Sequence, residues 1–205
     1  MIPKVVVFDL GKVLLDFDYA VAAHRIAEKS TAGVEESRFF IDQSPLLHRY
    51  ECGTITTEQF FGEICQLSGF TGTSNEFAEF FSDIFAPIPA MIQLHADLRA
   101  AGIPTYIFSN TNDLAIMHVR RRFPFFANFD GYILSYEHGV MKPNPRIYRA
   151  VEEKSGHRGR EIAYLDDRAE NVLGGAQRGW NAVLHESPEK SRRALQALGL
   201  LPSDA

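Results

Sequence analysis

The sequence predicts an α/β fold: a doubly wound, Rossmann-like parallel sheet with a small helical cap inserted after the first strand. Three observations predict it. Apolar runs at Val5–Leu10, Thr105–Ser109, Gly131–Leu134, Ile162–Asp166 and Ala182–His185 have the near-continuous hydrophobicity of strands buried on both faces. Helical spacings lie between the later runs, so strand and helix alternate as right-handed βαβ crossovers require. One long segment, Phe17 to Pro87, breaks the alternation with helix signals and no convincing strand.

The first run, Val5-Val6-Val7-Phe8, delivers Asp9 to the C-terminal edge of the sheet, where folds of this class place their chemistry. The chain is expected to turn at Gly11, which takes conformations other residues resist. The alternative is an Asp9 that only caps the turn. In the inserted segment Asp18 reads as the N-cap of a first helix. Thr56-Thr57-Glu58-Gln59 reads as a capping box opening a helix whose apolar side is Phe60, Phe61, Ile64 and Leu67. Phe77, Phe80, Phe81 and Ile84 give a second helical spacing, and core packing is the simplest use for these aromatic stripes. Pro87 and Pro89 return the chain to the sheet. Met91, Leu94, Leu98 and Ala101 mark a helix ended by Gly102. Further helices are expected over Leu114–Val119, after Pro145, and from Ala169 to Gln177. Leu200-Leu201-Pro202-Ser203-Asp204-Ala205 is expected to fray.

The 205 residues suit one domain, or a core with a modest insertion, here divided as 1–16 and 88–205 for the core and 17–87 for the cap. The hydrophobic fraction of 45% and charged fraction of 23% are those of a globular protein, and sixteen Phe residues offer a sizeable core. A net charge of −5 argues against a general nucleic-acid binder but leaves room for a locally positive site for a small anion. Cys52 and Cys65 form no framework or metal spacing, which suggests two reduced thiols in a cytoplasmic protein. No apolar run approaches membrane-span length, and the opening run, interrupted by Asp9, is too short for a signal peptide.

Three later segments carry chemistry. Ser109-Asn110-Thr111-Asn112 ends an apolar run with hydroxyl and amide donors that can bind anionic oxygens or simply cap the next helix. Lys142, ahead of Pro143 and Pro145, is a point charge for a phosphate or an ordinary solvated lysine. Asp166 and Asp167 repel each other at a strand end. A hard divalent cation with oxygen ligands would relieve them, unless they only cap the helix that holds Asn171.

Taken in order, Asp9, Ser109, Lys142 and Asp166-Asp167 resemble the four motifs of the haloacid dehalogenase superfamily. Lys142-Pro143-x-Pro145 and Asp166-Asp167-x-x-x-Asn171 support the likeness, which covers the whole chain. Phe8-Asp9-Leu10-Gly11-x-Val13 with Ser109-Asn110-Thr111 is similar to bacterial sugar-phosphate phosphatases. The resemblance implies a phosphatase for a small-molecule phosphate ester, with Asp9 as nucleophile forming an aspartyl-phosphate. It implies Mg²⁺ held by Asp9, the Gly11 carbonyl and Asp167, with Asp166 close by. Ser109 and Asn110 would bind phosphoryl oxygens, and Lys142 would offset the charge of Asp9 and the phosphate.

Gly11 departs from the pattern, because most such phosphatases carry a second Asp there as general acid and base. Its loss suggests a leaving oxygen that needs little help, such as an anomeric sugar phosphate. Asp16 and Asp18 are candidate substitutes. The gap also leaves open a 2-haloacid dehalogenase, which needs no Mg²⁺, and a non-catalytic phosphate- or protein-binding module. His48, Arg49, Tyr50 and Glu51 could contact a sugar or form a solvated helix end. His138 reads as a turn residue, Arg168 as a helix cap or a site residue, and Trp180 as packing.

Overall fold

The computed structural model describes residues 2–42 and 44–202. Five strands form one parallel sheet: β1 (Val5–Phe8), β4 (Thr105–Ser109), β5 (Gly131–Leu134), β6 (Ile162–Asp166) and β7 (Asn181–Leu184). Their order is β5-β4-β1-β6-β7, with β1 in the centre. Winding reverses at β1, so the crevice of this doubly wound sheet opens at the C-terminal ends of β1 and β6. Every residue of β1, β4 and β6 is buried. Alternate side chains of β1 feed two cores: Val6 and Phe8 pack with α6 (Pro89–Ala100), α7 (Asp113–Arg122) and α11 (Pro188–Ala197), while Val5 and Val7 pack with α9 (Pro145–Ser155) and Trp180.

Between β1 and α6 lie five helices: α1 (Tyr19–Ala27), α2 (Val34–Ile41), α3 (Pro45–Glu51), α4 (Thr57–Ser68) and α5 (Ser74–Ser82). Asp18 caps α1 through the amide of Ala20, and Thr56 and Gln59 complete the predicted capping box of α4. The Phe-rich stripes are packing: Phe60, Phe77 and Phe81 sit in a separate apolar cluster with residues of all five helices. Leu67, assigned to the apolar side of α4 from its spacing, is exposed. The four-residue α8 (Ser135–His138) and α10 (Ala169–Ala176) complete the α-helices among the described residues.

Three further expectations are corrected. The inserted segment is entered and left by strands, β2 (Leu15–Phe17) and β3 (Phe85–Pro87), which pair antiparallel as a two-stranded ribbon. They are too short to show alternation, and their pairing spans the whole insertion. Second, the left-handed residue after Asp9 is Lys12, with φ 57°, and Gly11 has no positive φ. What marks Gly11 is crowding instead: a Cβ there would lie 2.7 Å from Cε1 of the Phe17 ring, which would have to move. Third, Leu200 and Leu201 do not fray but are buried in the core beside α11, whereas residues 203–205 lie outside the described residues. Among the described residues no helix is long and apolar enough to cross a membrane.

Candidate active site

The register of the sheet assembles the site. Phe8 is paired with Leu165 on one side and Ile107 on the other, and the Asp9 amide donates to the Leu165 carbonyl at 2.9 Å. Asp9 therefore leaves the sheet level with Asp166, one strand from the turn Ser109-Asn110. Lys142 reaches in from the loop before α9. Its ammonium lies 3.0 Å from Asp9 Oδ1 and 2.6 Å from Asp166 Oδ2, and donates to the Phe108 carbonyl at 2.8 Å. All three ammonium protons thus have partners, and Lys142 (5% exposed) is not the solvated lysine that sequence left open.

Asp9 and Lys142 line a cavity of about 350 Å³ together with Gly11, Ser109, Asn110, Asp167 and Arg168. Burial pushes the Asp9 carboxyl up to about 7; Lys142 opposes this, and the charge of Asp166 adds to it. Burial also acts to raise Asp166, but Lys142 and the Tyr164 hydroxyl overcome it and hold that carboxyl below its usual value. On Lys142, burial is outweighed by its two carboxylates, and the ammonium is held above the usual lysine value. Asp167 is raised by burial and by the charge of Asp166.

Geometry divides the work of the predicted residues. Both oxygens of Asp166 are occupied: besides Lys142 and Tyr164, they accept from the Arg168 amide at 2.9 Å and the Asn171 side chain at 3.0 and 3.2 Å. Asp167 lines the cavity, and the one hydrogen bond to its carboxyl among the described residues comes from its own backbone. Asp9, Asp166 and Asp167 still offer carboxylate oxygens within 4.8 Å of one another, an all-oxygen set suited to a hard divalent cation. Asn110 lines the cavity, but its amide clasps the Lys142 backbone, donating to the carbonyl at 3.0 Å and accepting from the N–H at 2.7 Å. Ser109 is buried with its hydroxyl making only a 3.3 Å contact to the Asn110 carbonyl, so it is available to an anion.

A further wall is formed by Tyr19 on α1, Asp42 just after α2, and His48 and Glu51 on α3. Sequence left His48 and Glu51 between a sugar contact and a solvated helix end; the signal for their place would have been the helix-start pair Ser44-Pro45, which fixes the phase of α3. Asp16 does not reach the site: its side chain is 61% exposed and ion-paired with Lys12. Asp18 is committed to its cap. His138 is exposed, Trp180 is packing, and Cys52 and Cys65 are free thiols.

Comparison with known proteins bears on family and fold. The family profile described as haloacid dehalogenase-like hydrolase matches residues 3–179. D-ribitol-5-phosphate phosphatase of Bacteroides thetaiotaomicron is 23% identical over 204 residues, which are 95% of this chain and 98% of that protein. (S)-2-haloacid dehalogenase 1 of a Pseudomonas species is 27% identical over 186 residues, 86% of this chain and 82% of that protein. A haloacid dehalogenase family enzyme of Bacteroides thetaiotaomicron, solved as a magnesium complex, superposes with a TM-score of 0.78 at 25% identity, covering 90% of this chain and 93% of that one. The chain spans only 19% of another relative, mouse acyl-CoA dehydrogenase family member 10, to which it is 28% identical over 95% of its own length.

Proposed function

The chain belongs to the haloacid dehalogenase-like hydrolase family, and on that premise we propose that it is a Mg²⁺-dependent phosphatase cleaving a small sugar phosphate through an aspartyl-phosphate on Asp9. The observation that carries the reading is the carboxylate trio of Asp9, Asp166 and Asp167, with oxygens within 4.8 Å of one another. Three like charges at that spacing call for more positive charge than Lys142 alone provides. Asp9, the Gly11 carbonyl and Asp167 would hold the ion, with Asp166 behind them bracing Lys142. When bound, Mg²⁺ supplies positive charge against the phosphoryl oxygens.

The remaining work belongs to the chain. Lys142 aims Asp9 and favours its charged, nucleophilic form. The Ser109 hydroxyl and the backbone amide of Asn110 donate to the phosphoryl oxygens, the Thr111 amide being engaged by Ser135. Asn110 holds Lys142 in place. The leaving group faces the wall built from residues 17–87, which act as the cap. There Phe17, Tyr19 and Phe85 offer apolar faces, and Asp42 and Glu51 offer acceptors for hydroxyl groups. That mixture suits an uncharged, hydroxyl-rich leaving group. It disfavours a 2-haloacid, whose own carboxylate would meet two more carboxylates and leave the acidic trio without a purpose. A binding module would have no need of a buried carboxylate aimed by a buried lysine. The free thiols and the net charge of −5 fit a cytoplasmic protein with no nucleic-acid partner.

The test is phosphate release from a panel of anomeric and primary sugar phosphates, with Mg²⁺ or with EDTA, beside Asp9→Asn. Turnover that needs Mg²⁺ and is lost in the variant is the expected result. Halide release from 2-haloacids without phosphate release from any ester would overturn it.

A further inference from the structure

Hydrolysis by that route, on which this inference rests, needs a proton for the leaving oxygen and a base for the attacking water. The loop after Asp9 supplies neither. Leu10 and Gly11 carry no titratable group, the room beside Gly11 is filled by the Phe17 ring, and Lys12 is paired with Asp16 on the exposed side. Asp166 and Lys142 are saturated by their own contacts. The opposite wall differs. Glu51, the last residue of α3, is half-buried, lines the same cavity as Asp9 and Ser109, and has no hydrogen bond or ion pair to its carboxylate among the described residues. We propose that Glu51 is the general acid and base of this enzyme, acting from the cap across the cavity from Asp9.

Three contacts fix it there. The Ser135 hydroxyl donates to the Glu51 carbonyl at 2.6 Å and accepts from the Thr111 amide at 2.9 Å. One hydroxyl thus ties Glu51 to the turn that begins with Ser109. The Leu114 amide donates to the Tyr50 hydroxyl at 3.2 Å. Gly53, with φ +62°, lies so close to Tyr136 that a Cβ would stand 2.1 Å from its carbonyl oxygen. This end of α3 is therefore docked on the core, as a proton-transfer group must be.

The groups facing Glu51 are Arg168 from the core, Tyr19 on α1, Asp42 after α2, and Cys52 and His48 beside it. Burial pushes the Glu51 carboxyl up to about 7, with the Arg168 guanidinium opposing. Both protonation states are then well populated near neutral pH. The rivals are worse placed: Asp42 is ion-paired with Arg38 at 3.4 Å, burial pushes the Tyr19 phenol far up, and the His48 ring nitrogens lie against the Cys52 sulfur at 3.9 and 4.0 Å.

The steps balance. An Asp9 oxygen bonds to phosphorus, the bond from phosphorus to the leaving oxygen breaks, and the Glu51 proton passes to that oxygen, giving the free alcohol. Water then attacks phosphorus, its proton goes to the Glu51 carboxylate, and the bond to Asp9 breaks to release phosphate. With this device the anomeric preference expected from Gly11 is no longer required.

The experiment compares wild type and Glu51→Gln, with Mg²⁺, on a sugar phosphate having a primary-alcohol leaving group and on 4-nitrophenyl phosphate, whose leaving group needs no proton. Acid-quenched phosphoenzyme is measured alongside, and calorimetric binding of inorganic phosphate checks that the variant keeps its site. The expected result is a loss of about 10²–10⁴-fold on the sugar phosphate. On the nitrophenyl ester the variant should give a stoichiometric burst and an accumulating phosphoenzyme, because the second step has lost its base. A nitrophenyl ester reaction with no burst and no accumulated phosphoenzyme, or no loss on either ester, in a variant that binds phosphate normally would overturn the role of Glu51 while wild-type turnover upholds the phosphatase. A wild type inactive on every ester would overturn both.

Discussion

Lys142 sets the electrostatics of the cavity. Its side chain, 1% exposed, stands between an Asp9 side chain 10% exposed and a fully buried Asp166 side chain. Taking it away leaves two carboxylates in a low-dielectric site with one cation fewer, and an orphaned buried charge costs about 3–5 kcal/mol. Lys142→Met keeps the volume and removes the charge. The expected outcome in metal-free buffer at pH 8 is a loss of that order in unfolding free energy, read by urea titration. Asp9 already has a folded-state pKa above its unfolded one and loses in Lys142 the charge that opposes this, so the penalty applies above the ordinary carboxylate range and fades as pH falls and it takes up a proton. A penalty equal at pH 8 and pH 4 would show that the lysine matters for packing alone. The Lys142 position was legible because two prolines pin the chain beside it, and Asp9, Ser109 and Asp166 were legible because each ends an apolar run. The Asn110 clasp and the place of Glu51 were not, since they depend on partners 32 and 84 residues away.

At the scale of elements, α6 is held to β4 by a polar pair in an apolar layer. His95 is 3% exposed, bonds to Thr105 Oγ1 at 3.0 Å and stacks on Phe129 with ring centroids 3.9 Å apart. Burial, helped by the charge of Arg99, lowers its pKa from 6.5 to about 4. Between those values the unfolded chain binds a proton that the folded chain refuses, so stability is complete above pH 6.5 and drains away towards pH 4. The loss from this one group is about 3 kcal/mol at most. His95→Gln can keep the bond to Thr105 but cannot take the proton, so its unfolding free energy should fall less steeply over that interval. Parallel slopes for the two proteins would assign the acid sensitivity to other groups. Elements of this central kind, buried on both faces, were legible from hydrophobic runs alone. The ribbon of β2 and β3 was not, because three-residue strands carry no period, and α2 and α3 are too short for their apolar positions to repeat.

For the molecule as a whole, alternation and crossover handedness were enough to foretell a doubly wound sheet, and the uninterrupted helical stretch to foretell the insertion. How the two bodies meet was not written in either pattern. The five inserted helices carry their own apolar cluster, and one buried residue from beyond the insertion joins it: Leu114, in the first turn of α7, 8% exposed. The same residue's amide holds Tyr50 of α3. The seam over the active site therefore has an apolar peg beside its polar clasp, and cavity formation at the peg should loosen the cap selectively. Leu114→Ala leaves the backbone bond intact and is expected to cost about 2 kcal/mol, at the lower end for such truncations because the site is at an edge. Its distinguishing effect is spatial. Amide hydrogen exchange should quicken across α3 and α5, which touch the peg's surroundings, while α9, on the far face of the sheet, keeps its wild-type rates. Equal acceleration in α9 would mean that cap and core open together, and that the cap cannot move against the sheet without unfolding it.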